Sequence, residues 1–394
     1  MKKINTLDNI AETGLNYLRK QGYLINNDQE PDALILRSSD IHNYNFSSQL
    51  KAIGRSGVGV NNIPVDECSE KGIVVFNAPG ANANSVKELV IAMMINLSRN
   101  VFQAEHWINR LDGENVHKQV EAGKKMFRGQ ELMGKTLGVI GLGNVGARVA
   151  NAGIELGMDV IGYDNYISVK NAWQINQKVS YCDDVKDIFQ QSDYITIHTP
   201  YTEETHHLIG FENLSLVKTG AIILNYSRQE TVDPQAMLTF LENGMVKYFA
   251  SDFYFEELAG REDFIMTPHL GASTEQSEEK CALMVAQEVN HYLESGEIKN
   301  SVNFPNVEMT FNAPLRLSII NENIPNMVAG ISRYLADEDI NIEKIINKSR
   351  GNYAYTLVDV SGDDLLSKVN TFMEDVRSVK GIKKIRMIQN PHKK

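Results

Sequence analysis

Cysteine is scarce in this chain of 394 residues: Cys68, Cys182 and Cys281 lie far apart, with no C-x-x-C pair. That excludes a disulfide framework and the common zinc spacings, and it predicts a reducing, cytoplasmic setting with no metal centre. Long apolar runs are missing as well. The opening residues, Met1-Lys2-Lys3-Ile4-Asn5, turn polar at once, and nothing later reaches the ~20 apolar residues of a membrane span. Neither a signal peptide nor a membrane partner is expected. Positive charge is in deficit, with 39 Lys and Arg against 50 Asp and Glu and a net charge of -11. Non-specific nucleic-acid binding is therefore disfavoured, and any anionic ligand must be held by local cations.

Apolar residues make up 42% of the chain, enough for two or three cores. From 136 to 268, short β-rich runs at 136–140, 159–163, 194–198, 221–225, 248–252 and 264–267 alternate with helix-like stretches. That rhythm predicts a parallel sheet with helices on both faces. Residues 1 to about 82 show a looser version, with strands expected at 33–36, 51–54 and 73–76, and read as a second, smaller α/β lobe. The stretch 295–313 is rich in Asn, Gly and Pro and reads as a linker. Beyond Pro314 the order is strand (315–321), helix (326–337), strand (340–349), strand (353–360), helix, strand (382–388). This βαββαβ order is the ferredoxin-like split unit.

Gly141-Leu142-Gly143-Asn144-Val145-Gly146 follows the strand 136–140 and opens a helix. In that context the glycines permit a tight turn, close approach of a pyrophosphate and close packing of helix on strand, and the helix N-terminus offers free N–H groups. The next strand ends at Asp164, placed to accept hydrogen bonds from both ribose hydroxyls. Asn165 and Tyr166 follow it, with no arginine for a 2′-phosphate, so NAD is expected rather than NADP. This is the signature of a doubly wound, Rossmann-type domain.

Oxidising a 2-hydroxy acid requires a base for the hydroxyl proton and a cation for the carboxylate. The sequence offers Asn225-Tyr226-Ser227-Arg228, Asp252-Phe253-Tyr254-Phe255-Glu256-Glu257 and Thr267-Pro268-His269-Leu270-Gly271 at or just after expected strand ends, where open parallel sheets bind ligands. With Arg, Glu and His in this order and these contexts, the stretch from 53 to about 274 resembles the D-2-hydroxy-acid dehydrogenase family. The resemblance implies that Arg228 holds the carboxylate, His269 exchanges the proton and Glu257 pairs with His269. It also implies that His198, Thr199, Pro200, Ser227, Asp252, His269 and Gly271 line the cofactor pocket beside Gly141, Gly143, Asn144, Val145, Gly146 and Asp164.

Lys51-Ala52-Ile53-Gly54-Arg55-Ser56-Gly57-Val58-Gly59 pairs a short strand with a turn able to form an anion nest. In the branch of the family that acts on 3-phosphoglycerate, the resemblance puts Arg55 at the substrate phosphate and the backbone of Gly57, Val58 and Gly59 at the carboxylate, with Ser56 also among the substrate-binding residues. Asn82 then lies near the substrate, with Arg37, Lys124 and Lys125 as further phosphate candidates. It implies a flavodoxin-like substrate domain made of 1–82 and 270–305, a dinucleotide domain of 83–269, and a module of 314–394 that resembles the ACT domain. In that module Asn323 and Asn341 match positions that bind an effector, here L-serine, while Asn326 stands where glycine is usual. Gln229 and Leu258 likewise replace the family's glycine and proline. The leading expectation is NAD-dependent oxidation of 3-phospho-D-glycerate by a homodimer or homotetramer. The alternatives are a reductase of hydroxypyruvate, glyoxylate or pyruvate, and a non-catalytic NAD(H)-binding sensor.

Overall fold

The computed structural model describes residues 2–27, 30–377 and 379–390. Met1 and 391–394, the outer ends of the expected first and last domains, lie outside them. Five short strands open the chain: β1 (Lys3–Thr6), β2 (Leu24–Ile25), β3 (Ala33–Leu36), β4 (Ala52–Arg55) and β5 (Val74–Phe76). They form a parallel sheet in the order β2-β1-β3-β4-β5, with α1 (Glu12–Lys20) between the first two. Every residue of β3 and β5 is buried, as an all-parallel sheet covered on both faces demands.

Helices α2 (Ala83–Arg99) and α3 (Val101–Ile108) and a further helix at Val116–Gly123 precede the second sheet. Its strands are β6 (Thr136–Ile140), β7 (Asp159–Tyr163), β8 (Ser180–Tyr181), β9 (Tyr194–Ile197), β10 (Ala221–Asn225), β11 (Val246–Ser251) and β12 (Phe264–Met266), and α4 (Gly146–Glu155) follows β6. The order is β12-β11-β10-β9-β6-β7-β8, all parallel, so the winding reverses between β6 and β9. Two apolar clusters cover the two faces. One is built on Ile140, Ile195, Ile223 and Phe249, the other on Val139, Leu137, Leu224 and Ala250.

The long helix α5 (Glu275–Ser295) packs on α1, and a Cβ at Gly14 would stand 2.6 Å from the Ala282 carbonyl oxygen, so the two helices meet at backbone distance. The stretch 295–313, expected to be a linker, is ordered instead. Ile298 bridges Val307, Ser301 bridges Phe76, and buried Asn303 bonds Val75 N–H (2.9 Å), the Ser69 hydroxyl (3.0 Å) and the Ile73 carbonyl (2.9 Å). Asn303 ties the chain to β5, Asn300 donates to Glu288 (2.6 Å) and Asn306 accepts from Asn300 N–H (3.0 Å), which is why a composition of loop formers ends in a fixed path.

The last element group is antiparallel: β13 (Leu315–Glu322), α6 (Met327–Asp337), β14 (Asn341–Arg350), β15 (Tyr353–Ser361), α7 (Leu365–Arg377) and β16 (Ile382–Gln389), in the sheet order β14-β15-β13-β16. This is the ferredoxin-like arrangement. Alternation divides its residues. Leu315, Leu317, Ile319, Val358 and Val360 pack with Ile331, Leu335 and Phe372 of the two helices, whereas Ile320, Tyr355 and Leu357 join the core of the first lobe with Phe76 and Tyr292. The chain accordingly divides into two compact units, 1–81 with 275–394, and 82–274. Among the described residues no helix is long and apolar enough to cross a membrane. Cys68, Cys182 and Cys281 are buried and free.

Candidate active site

The C-terminal ends of neighbouring strands in the seven-stranded sheet deliver the expected residues to one edge. Gly141 follows β6, His198 and Thr199 follow β9, Tyr226 to Arg228 follow β10, Asp252 follows β11 and His269 lies just beyond β12. The reversal of winding between β6 and β9 opens the crevice in which such sheets take ligands.

At the turn after β6, Gly141 adopts φ +88°, and a Cβ there would lie 2.8 Å from the His198 backbone. A Cβ at Gly146 would fall 1.8 Å from the Gly141 carbonyl oxygen, so the third glycine is what lets α4 start against the strand. A Cβ at Gly143 would meet nothing within 4 Å: that position faces open space, the place a pyrophosphate requires. Asn144 is exposed and Val145 is the N-cap of α4. Asp164 accepts N–H bonds from Leu142 (2.7 Å) and Tyr166 (2.8 Å), one on each oxygen. The carboxylate so braces the glycine turn and keeps remaining lone pairs for ribose hydroxyls.

His198 bonds the Thr196 hydroxyl through Nε2 (2.9 Å), while its Nδ1 and the Thr199 hydroxyl are buried without protein partners. Burial pushes its ring down to about 3, so it is neutral and no proton donor at ordinary pH. Two orphaned polar atoms beside a glycine turn with an open middle position fit a dinucleotide, which the turn, His198 and Thr199 would hold. Pro200 continues the same strand end and its carbonyl accepts from the Thr205 hydroxyl (2.8 Å).

Arg228 is half-buried. Its carbonyl is pinned by the Asn225 amide and the Thr231 hydroxyl, both at 2.8 Å, and Ser227 is held by Asn225 through its N–H and hydroxyl at 3.1 Å. The guanidinium donates to the Ser227 carbonyl (2.6 Å), and among the described residues no carboxylate lies within 4.0 Å of it. A placed cation without a protein counter-charge is suited to a carboxylate ligand.

His269 is exposed and adopts φ +56°. Asp252 organises its loop: the buried carboxylate accepts from the Thr267 hydroxyl (2.5 Å), Leu270 N–H (2.8 Å) and Gly271 N–H (2.7 Å), and the Asp252 carbonyl receives His269 N–H (3.2 Å). The ring lies edge-on to Phe253 at 5.2 Å. Ser85, near the start of α2, adds a hydrogen bond to the Gly271 carbonyl (2.8 Å). Neither the loop-organising part of Asp252 nor that of Ser85 was anticipated. Their only sequence signal is a hydroxyl or carboxylate that falls near the loop after folding. The expected Glu257–His269 pair is not formed in this structure. Glu257 lies exposed in a 3-10 turn, Glu256–Leu258, and no ion pair joins it to any described histidine.

In the other unit, Arg55 ends β4 and its guanidinium lies over the following turn, where a Cβ at Gly57 would stand 1.4 Å from Nη1. Ser56 N–H bonds the Leu36 carbonyl (2.7 Å), Ala78 N–H and the Asn77 amide take the Gly57 and Val58 carbonyls at 2.8 and 2.6 Å, and Gly59 is half-buried. Arg37 is paired with Glu278 at 2.7 Å, and Lys124 with Glu121 beside exposed Lys125. Asn82 is the N-cap residue of α2, though its side chain makes no capping bond.

The two effector candidates are not brought together within one copy. Asn323 follows β13 and donates to the Gly351 carbonyl (3.2 Å), while Asn341 opens β14 and donates to Glu343 (3.0 Å) and Ser361 (3.2 Å), with β15 lying between the two strands. Asn326 has φ +69° at the N-cap of α6. Glycine is usual there because the backbone is left-handed, and asparagine tolerates that region best among the residues with a Cβ.

Residues 91–271 match the D-isomer specific 2-hydroxyacid dehydrogenase NAD binding domain. The chain is 34% identical over 366 residues to D-3-phosphoglycerate dehydrogenase of Methanocaldococcus jannaschii, an alignment that covers 88% of this chain and 67% of that protein. It is 30% identical to the enzyme of the same name from Escherichia coli K12, with 81% of this chain and 77% of the other covered. Among solved structures, NAD+-bound 3-phosphoglycerate dehydrogenase of Entamoeba histolytica superposes with TM-score 0.61 at 26% identity, over 77% of this chain and 98% of that one. Glycine turn, strand-end cation, looped histidine and these alignments agree: the chain belongs to the D-isomer specific 2-hydroxyacid dehydrogenase family, an NAD-dependent oxidoreductase of the CH–OH group.

Proposed function

We propose that this protein oxidises 3-phospho-D-glycerate to 3-phosphohydroxypyruvate, the entry step to L-serine, and catalyses the reverse reduction. The observation that carries the reading is the half-buried guanidinium of Arg228, without a protein counter-charge, on the same sheet edge as a histidine fixed by the Asp252 network. Both named relatives above are D-3-phosphoglycerate dehydrogenases, which supports the substrate.

NAD, when bound on the glycine turn, supplies the hydride acceptor. Arg228 holds the substrate carboxylate through charge-assisted bonds and, in the direction of reduction, polarises the keto carbonyl toward hydride addition. His269 takes the hydroxyl proton as the C–H bond breaks, and returns it in the reverse direction. Glu257 is assigned the part of steadying the charged ring once substrate is present. Arg55 takes the phosphate, and the Ser56 to Gly59 turn and Asn82 take the rest of the substrate. In this reading the substrate domain is 1–82 with 270–305, the dinucleotide domain 83–269, and the regulatory ACT module 314–394, with Asn323 and Asn341 gripping L-serine across paired copies.

Self-association is part of the proposal. Helix α3 buries none of its residues and exposes Val101, Phe102 and Ile108, and among the described residues no strand lies beside the outer edge of β14. Both suit a second copy and a homodimer or homotetramer. Three buried free thiols suit a reducing cytoplasm.

The test is NADH oxidation with 3-phosphohydroxypyruvate against hydroxypyruvate, glyoxylate and pyruvate, each with and without L-serine. The proposal expects kcat/KM for the phosphorylated substrate to exceed the others by at least about 100-fold, the loss expected when a charge-paired phosphate is missing. Equal or better rates with the unphosphorylated acids would remove the phosphate role of Arg55 and leave a general 2-keto acid reductase.

A further inference from the structure

The alternation of β16, Ile382-Lys383-Lys384-Ile385-Arg386-Met387-Ile388, sends Ile385 and Met387 to the helices of the C-terminal module and Lys384, Arg386 and Ile388 to the face that meets the first lobe. The register agrees: Lys384 lies opposite Ile320 and Arg386 opposite Ser318, on the side where Ile320 joins the first lobe's core. Two cations therefore stand on a face that is otherwise packed. The approach is close, for a Cβ at Gly72, whose φ is +64°, would lie 2.7 Å from the Lys384 Cβ.

A cavity of about 780 Å³ lies along this seam and is lined by Lys51, Lys71, Lys383, Lys384, Arg386 and Gln49, among others. Three of its cations have carboxylate partners: Lys51 with Asp32 (2.5 Å), Lys71 with Glu67 (2.7 Å) and Lys383 with Glu322 (2.9 Å). Two have none among the described residues. Lys384 donates to the Leu50 carbonyl (2.5 Å), and Arg386 stacks on Tyr292 at 4.5 Å and donates to the Leu293 carbonyl (3.2 Å), while its Nη1 is buried without a partner. Burial and the nearby charges of Arg386 and Lys51 push the Lys384 ammonium down to about 8. Two uncompensated, partly desolvated like charges side by side are costly, and a dianion is the partner that relieves both.

We infer that the cavity between the first lobe and β16 is a binding site for a phosphate group, held by Lys384 and Arg386 with Lys51 and Lys71 at its rim. It is separate from the substrate phosphate assigned to Arg55, and it does not depend on that assignment. A phosphate there would bridge the C-terminal module to the lobe on which it packs, so its occupancy is read by the module's attachment.

The experiment is calorimetric titration of the full chain with inorganic phosphate at constant ionic strength. Four proteins are compared: wild type, Arg55→Gln, the double variant Lys384→Gln/Arg386→Gln, and an equal charge loss at exposed positions, Arg110→Gln/Lys118→Gln. The expected result is a phosphate site at least tenfold weaker in Lys384→Gln/Arg386→Gln and unchanged in both others. Wild-type phosphate binding by Lys384→Gln/Arg386→Gln, or an equal loss in Arg110→Gln/Lys118→Gln, would overturn the inference. Should the double variant fail to fold, Lys384→Gln alone leaves the Arg386 stack on Tyr292 in place and is expected to weaken binding at least threefold, with unchanged affinity again the refuting result. Repeating the titration with glycerol 3-phosphate separates the sources: tighter binding than inorganic phosphate marks a phosphorylated metabolite, equal binding the free ion.

Discussion

His269 owes its place to its neighbours rather than to its own conformational preference. A residue with a Cβ at φ +56° is uncommon, and such backbone persists where surrounding bonds over-determine it. Here Asp252 supplies them, through Thr267, Leu270 and Gly271. The proposed base is thereby presented on a loop held by hydrogen bonds, exposed to substrate, while His198 is half-buried and neutral. Replacing His269 by Ala is expected to lower kcat by about 10²–10⁴-fold and to leave NADH affinity within about twofold, as read by stopped-flow turnover and fluorescence titration. The backbone bonds of residue 269 do not involve the lost ring. Equal losses in binding and turnover would mean that the ring serves the cofactor, and unchanged turnover would sink its assignment as the base.

The glycine turn between β6 and α4 separates two kinds of requirement within six residues. Gly146 is needed by the fold, since a methyl there would have to displace the Gly141 carbonyl by more than an ångström. Gly143 is needed only by the ligand, because among the described residues a Cβ there would meet no atom within 4 Å. Gly146→Ala should therefore cost about 1–3 kcal/mol of stability and weaken NADH binding, whereas Gly143→Ala should leave the thermal midpoint within a degree or two and weaken NADH binding alone. Melting curves with and without NADH check both; equal melting behaviour for the two variants would contradict the division.

A buried charge pair inside the C-terminal module, Arg316 with Asp359, also ties the module to the chain that precedes it, through the Ser295 and Met309 carbonyls. Arg316 is 0% exposed, with its guanidinium on both Asp359 oxygens (2.6 and 3.0 Å), on the Ser295 and Met309 carbonyls (3.0 and 2.6 Å) and over the Phe311 ring at 4.3 Å. Tyr355 adds a hydrogen bond to the Gly296 carbonyl (2.5 Å). Such a fully bonded pair gains little against an apolar substitute, but removal of one member strands the other. Asp359→Asn should destabilise the protein by about 3–5 kcal/mol, measured by urea unfolding of the full chain; a loss below about 1 kcal/mol would show that the Arg316 charge is met by the carbonyls alone.

Chain pattern was sufficient for the elements whose physics is local. Continuous apolar runs marked 136–140, 159–163 and 221–225 as strands, the glycine spacing marked the turn, and alternation marked the βαββαβ module. The short edge strands β2 and β8 carry no such pattern: two residues bury too little to impose a period, and pairing with a neighbour makes them strands. Folding also settled matters that no local pattern encodes. Asn303 reads as a loop former, yet becomes a buried clip because β5 lies beside it. Arg316 and Asp359 meet only through the pairing of β13 with β15, on the face that also meets the end of α5 and the 295–313 stretch. Residue types and spacings specify which chemistry is available. Which charges are paired, which are left free for a ligand, and which merely hold the chain together depend on contacts between segments distant in the sequence, where burial makes each unpaired charge costly.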